Sequence, residues 1–275
     1  MTRRWLAILA LLFTAAAWGA TFTLVKNAVT RMTPEAFIFW RFTLAGLILI
    51  VAVRRRLSRA MLVPGLLLGL LVFIGYWMQT TGLLTISAPR SAFLTGLYVV
   101  MVPFFQARTV RPKLNVWIAA ILAVIGTTIL IGGGFDARPT FGDLLTLACA
   151  IAFAWHVVLS SRWSTNETSA ALAGVQVLVV GIAAAPFAAL SKATPWDASL
   201  VTVIVFTAVV TTALAFVALM WGQAHVSATE AAVILSFEPV AAAITSIVFE
   251  GDPLTLTFAV GAAFILGAML LSQMR

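Results

Sequence analysis

Apolar residues fill runs of about twenty positions, separated by short polar joints, along the whole chain. Ten such runs lie near residues 5–25, 34–53, 61–84, 89–107, 114–132, 141–161, 170–190, 198–221, 228–248 and 254–272. The joints carry helix breakers and charge: Pro34, the Arg54-Arg55-Arg56 cluster, Pro89, Pro112, the run Gly132-Gly133-Gly134, Pro139, Pro195 and Pro253. A helix rises about 1.5 Å per residue, so each run matches a hydrocarbon layer roughly 30 Å thick. The pattern predicts an all-α integral membrane protein with ten transmembrane helices. The opening run imitates a signal peptide, with Arg3 and Arg4 before an apolar stretch. Its pattern continues through Thr21–Val25 and has a counterpart in mid-chain, so it reads as the first span.

Composition narrows the classes further. Hydrophobic residues make up 62% and charged residues 9%, with a mean hydropathy of +1.09. A soluble domain is about a quarter charged, so this chain lacks the polar surface for one. The net charge of +8 does not point to nucleic acid, because the cations sit in short joints with no aromatic-rich basic face. Those cations set an orientation instead. With a cytoplasmic N-terminus, Arg3, Arg4, Arg54, Arg55, Arg56, Arg59, Arg108, Arg111, Lys113, Arg162 and Arg275 fall on the cytoplasmic side. Lys26, Arg31, Arg90, Arg138 and Lys192 fall on the other side, and Arg41 stays inside a helix. The positive-inside bias therefore predicts both termini cytoplasmic, in a cytoplasmic (inner) membrane. One cysteine, Cys149, excludes an intrachain disulfide, and His156 and His225 lie on different helices, so no metal site or cofactor is expected.

The chain also repeats itself. "GYWMQTTGLLTISAPRSA" (75–92) aligns with "AFVALMWGQAHVSATEAA" (215–232), pairing Gly82 with Gly222, Ser87 with Ser227, Ala88 with Ala228 and Ala92 with Ala232. "AAILAVIGTTILI" (119–131) resembles "VGAAFILGAMLLS" (260–272) at nearly the same offset. The repeat divides the chain into 1–134 and 135–275, with five helices in each half. Five is odd, so successive halves enter the membrane from opposite sides: two inverted five-helix repeats. Such an architecture suits alternating access around a site near the midplane. From Ala88 to Pro103 is fifteen steps and from Ala228 to Pro239 eleven, about one helical turn apart. This spacing predicts paired helix breaks at Val102-Pro103 and Glu238-Pro239.

Several of these residues together resemble the drug/metabolite transporter superfamily, in particular its EamA-type exporters. They are Trp18-Gly19 followed by Phe22, Arg41 in "FIFWRFTLAG", the Ser227-Ala228 start of helix nine, Glu238-Pro239, and Glu250 before helix ten. The run "APRSAFLTGLYVVMVPFF" looks most like the YddG branch, which exports aromatic and other amino acids. The resemblance implies a central cavity lined mainly by helices one, three, four, six, eight and nine.

Candidate site residues follow from depth and helical spacing. Glu238 lies ten residues into helix nine, roughly 15 Å deep. A carboxylate there costs on the order of 3 kcal/mol unless it meets a cavity or partner. It binds a substrate amino group, titrates during transport, or, protonated or hydrogen-bonded, steadies backbone groups near the Pro239 kink. Arg41, about 10 Å into helix two, meets a substrate carboxylate, pairs with Glu238, or snorkels outward along the helix. Arg90 and Glu230, at matching starts of helices four and nine, are candidates for gating or charge steering. The dipole favours Glu230 there and disfavours Arg90. Tyr76, Gln79 and Thr80 share a face of helix three with Trp77 beside them; Thr95 and Tyr98 share a face of helix four. Trp155, His156 and Ser160 lie on helix six, and Trp18 and Phe22 on helix one. Aromatic walls with scattered polar groups suit zwitterions with apolar side chains, and also organic cations through cation–π contact.

The leading expectation is a secondary transporter that exports amino acids or similar small metabolites. A multidrug exporter of aromatic cations is the alternative, and an embedded enzyme would need a nucleophile and base that no motif supplies. No Gly-x-x-x-x-Gly-Lys-Ser/Thr run is present, so transport runs on a gradient or passively. Proton-coupled exchange and uncoupled facilitation both stay open. Gly65 and Gly69 allow close helix approach, within the chain or in a dimer, so a monomer or weak homodimer is expected.

Overall fold

The computed structural model describes residues 2–107, 111–130, 140–245, 247–248 and 255–273. Arg108, Arg138 and Arg275 of the charge tally, the breakers 132–134, 139 and 253, and Glu250 lie outside the described residues. Among the described residues, ten helical segments run through the molecule. They are α1 (Arg3–Gly19, resuming as Phe22–Val29), α2 (Pro34–Val53), α3 (Leu62–Gly82), α4 (Ala88–Gly96 then Tyr98–Gln106) and α5 (Leu114–Leu130). The second set is α6 (Phe141–Trp163), α7 (Ser169–Ala189), α8 (Ala198–Gln223), α9 (Ala228–Leu235 then Glu238–Thr245) and α10 (Leu256–Gln273). Among the described residues, seven are long and apolar enough to span a bilayer, α5 and α10 are shorter apolar helices, and α4 is divided.

Local chemistry starts and stops these helices. Thr33 caps α2, accepting a hydrogen bond from the Ala36 N–H at 3.3 Å, with Pro34 at the first helical position. Thr140 and Asp143 form a reciprocal capping box at the start of α6, and Ser227 and Glu230 form another at the start of α9. Asp197 caps α8 through the Leu200 N–H at 2.8 Å.

Large apolar side chains point outward, including Leu114, Phe141, Leu256 and Leu270, as a lipid-facing surface requires. The interior is built mostly from alanine and other small residues, which lets helices approach closely. The seam between α2 and α7 is one close case. A Cβ on Gly46 would sit 2.7 Å from the Leu178 backbone, and one on Gly181 would sit 2.9 Å from the Thr43 nitrogen. Gly69 meets Val179 of α7 in the same way, and Gly65 meets Val175, so this pair of glycines serves packing within the chain.

The helix breaks differ from the expected proline pairing. In α4 the break falls at Leu97, six residues before Pro103, which sits inside the second segment. In α9 it falls at Ser236-Phe237, just ahead of Glu238-Pro239. Both breaks are tightened turns: the Leu97 N–H donates to the Leu94 carbonyl at 3.4 Å, and the Phe237 N–H to the Ile234 carbonyl at 3.1 Å. These bonds match at the same 140-residue offset as Gly82 and Gly222, so no extra turn separates the halves here. The repeat counterpart of Glu238 is therefore Tyr98 and not Val102. Proline does not fix the position of both breaks; Pro239 accounts for one, and Gly96 adjoins the other.

Candidate functional site

A cavity opens between the helices that carry these breaks. Trp18, Thr21, Phe22 and Val25 of α1, Arg41 of α2, and Val72, Tyr76, Gln79, Thr80 and Leu83 of α3 line one part of it. Thr95 and Tyr98 of α4, Phe153, His156 and Val157 of α6, Phe216 and Leu219 of α8, and Leu235 and Glu238 of α9 complete the wall. The volume open to the centre of a water molecule is about 50 Å³. That is room for a few waters, each needing about 10–15 Å³.

Glu238 is brought here by the break in α9 and by a glycine. Gly19 of α1 packs onto the Glu238 backbone carbonyl, and a Cβ at Gly19 would also sit 2.9 Å from the Ala241 Cβ. The Glu238 side chain is 8% exposed and takes part in no hydrogen bond or ion pair among the described residues. Tyr98, its counterpart across the repeat, is buried with a hydroxyl that also lacks a partner. Both face the cavity.

Arg41 is 2% exposed and held by α8. Its Nε donates to Thr212 Oγ1 at 2.7 Å, and its Nη2 to Thr211 Oγ1 at 3.0 Å. The Trp18 indole N–H donates to the Thr211 carbonyl at 2.8 Å. Thr211 and Thr212 lie in a π-helical stretch, Thr207–Leu214, where widened turns present groups that an α-helix would use internally. The guanidinium also lies 5.2 Å from the Tyr76 ring centre and 5.3 Å from that of Phe42. Arg41 and Glu238 thus line one cavity without forming an ion pair with each other.

Aromatic rings make the walls. Tyr76 packs edge-on against Phe42 and Phe153, with centres 4.9 and 5.5 Å apart, and Trp18 lies 5.7 Å from Phe216. Gln79 donates to Thr95 Oγ1 at 2.9 Å, and His156 Nε2 lies 2.7 Å from Gln176 Oε1.

Three candidate wall residues stand elsewhere. Trp77 turns away from the cavity, donating to Glu35 at 2.8 Å and stacking on Phe73 and Phe187. Trp155 stacks on Phe105 with centres 4.6 Å apart. Ser160 is bound to the Gln223 carboxamide. A residue next to an inward-facing one is rotated by about 100° around the helix, which carries Trp77 and Trp155 off the face of Tyr76 and His156. Among the lining residues that sequence reasoning missed are Phe153, Phe216 and Leu219. The last two are the repeat counterparts of Tyr76 and Gln79, so the 140-residue offset contains the signal.

The charged pair at the helix starts is committed rather than free. Arg90 reaches Asp143 through Nε at 2.6 Å and Nη2 at 2.9 Å, and Glu230 accepts from Arg4 at 2.9 Å. Among the described residues no group of three His, Cys, Asp or Glu side chains is placed to hold a metal.

Known proteins share this sequence pattern and this fold. The description of the EamA-like transporter family matches residues 5–132 and again 140–274. An uncharacterized transporter of Archaeoglobus fulgidus is 31% identical over 278 residues, covering 99% of this chain and 87% of its own length. The uncharacterized inner membrane transporter YicL of Salmonella typhimurium is 24% identical, over 96% of this chain and 94% of its own. One solved crystal structure superposes with a TM-score of 0.81 at 20% identity, covering 97% of this chain and 96% of its own.

Proposed function

From a chain that belongs to the EamA-like transporter family, and so is a multi-pass membrane transporter and not an enzyme, we propose export of apolar or aromatic amino acids. Transport runs by alternating access in the cytoplasmic membrane, with both termini on the cytoplasmic side and each five-helix half, 1–134 and 135–275, acting as one unit. One observation carries the substrate class: Arg41 and Glu238 line the same cavity and leave each other unpaired. A zwitterion supplies an opposite charge to each at once, its ammonium facing Glu238 and its carboxylate facing Arg41. The rings of Trp18, Tyr76 and Phe216 then receive an apolar or aromatic side chain.

A second reading has its own support. The Arg41 hydrogen bonds to Thr211 and Thr212 use part of the guanidinium, which leaves Glu238 as the uncommitted charge. Under that reading the cargo is an aromatic organic cation. Purified protein in liposomes separates the two. Flux of phenylalanine or leucine that saturates, and that competes with other zwitterionic amino acids, is the expected result. Flux of cationic dyes without amino-acid flux overturns it. Repeating the assay with the pH gradient collapsed tests coupling, and persistent amino-acid flux identifies a facilitator.

A further inference from the structure

The two ion pairs at the ends of the molecule are repeat counterparts with their charges exchanged. Arg90 and Glu230 are each the third residue of a helix capped by a matching serine, Ser87 or Ser227. Their partners also match: Asp143 lies in the first turn of α6 and Arg4 in the first turn of α1, the opening helices of the two halves. One pair joins α4 to α6 and the other joins α9 to α1, so each crosses between the halves. They lie at opposite ends, because Lys26, near the far end of α1, donates to the Ile86 carbonyl just ahead of α4. The cavity lies between the two pairs.

We infer that Arg4–Glu230 and Arg90–Asp143 are the two gate latches of the transport cycle, each holding one end shut while the other opens. Both pairs are formed in this structure. The latches are unequal. The Arg90–Asp143 pair is two-pronged, with side chains 19% and 6% exposed, whereas Arg4 and Glu230 are 30% and 21% exposed. The Arg4–Glu230 end has a further tie between halves, from Thr229 of α9 to Gln106 of α4.

This inference rests on the transporter reading but not on the identity of the cargo. Its test therefore reads access and not flux. Because Asp143 and Glu230 also cap helices, the arginines are the residues to change. Leu219→Cys in a Cys149→Ser background places one thiol on the cavity wall. Labelling by a membrane-impermeant thiol reagent is then measured from each face in oriented membrane vesicles. Arg90→Gln is expected to raise labelling from the Arg90 face by about five-fold, and Arg4→Gln from the Arg4 face by about two-fold. Each variant should lower labelling from the opposite face, while Arg4→Lys stays near the parent and Arg90→Lys, which keeps the charge but loses the fork, falls between the parent and Arg90→Gln. Equal change on both faces, a rise on the wrong face, or lower thermal stability with unchanged labelling overturns the proposal.

Discussion

The backbone and the carboxylate of Glu238 sit in two different environments. Its carbonyl is packed against Gly19, while its carboxylate faces the cavity without a hydrogen-bond or ion-pair partner among the described residues. The structural and the substrate-binding readings of this residue are therefore divided between different atoms. Glu238→Gln keeps the shape and removes the charge. Losing a charge-assisted hydrogen bond removes about 1.5–3 kcal/mol, so amino-acid affinity should fall roughly 10- to 100-fold while the melting temperature holds. Calorimetric binding and a thermal melt on the same sample check both halves of that expectation. Arg41 makes the opposite case, since it binds two threonines of α8 as well as facing the cavity. Lysine cannot reproduce the fork, so Arg41→Lys should destabilise the fold by about 1–3 kcal/mol as well as weaken binding. Trp155→Ala, away from the cavity, should lower stability and leave substrate affinity unchanged. Helical spacing made Tyr76, Gln79, Thr80 and His156 legible as one cavity group. It could not show that Ser160, on the His156 face, meets Gln223 from a helix sixty-three residues on.

At the scale of elements, α4 is the part that sequence reasoning placed correctly but broke in the wrong spot, whereas the α9 break falls just ahead of Glu238-Pro239. Proline is a visible signal, and Pro103 drew the expected break toward itself. The actual breaks are single tightened turns that any ordinary residue can adopt, with Leu97 in right-handed helical geometry. Only the 140-residue offset, carried past the proline, would have found them. Gly19→Val tests the packing that positions the broken α9, because a branched side chain there collides with the Glu238 carbonyl and Ala241. Overpacking of this kind typically costs about 1–3 kcal/mol, and the melting temperature should fall accordingly. At the start of α8, the Leu200 N–H and then Arg31 hold the Asp197 carboxyl below its ordinary range. Such a group adds stability above its unfolded pKa and loses it as pH falls through the depressed folded value. Acid melts of Asp197→Asn should show a shallower loss than the parent over that interval, since asparagine still caps the helix but does not titrate.

For the molecule as a whole, the bilayer explains why so much of the architecture could be read directly. Backbone groups in hydrocarbon must be satisfied within helices, so each apolar run had one available structure, and an odd count per half set the inversion. Contacts between halves are a different matter, because nothing in the sequence near Arg90 announces Asp143. Its awkward position at a helix start was a visible mismatch, and the compensating carboxylate came from the other half of the chain. The α2–α7 seam also joins the halves, but through backbone contact at Gly46 and Gly181 rather than through charge. Such a seam has no room to open, whereas an ion pair can separate into water at modest cost. Motion should therefore concentrate at the ends of α4 and α9, with α2 and α7 moving little relative to each other. Gly181→Leu should accordingly destabilise the whole fold by about 1–3 kcal/mol and leave the ratio of thiol labelling from the two faces unchanged. A shift of that ratio toward one face would instead make the seam part of the gate, and would move the hinge of the transport cycle to the middle of the molecule.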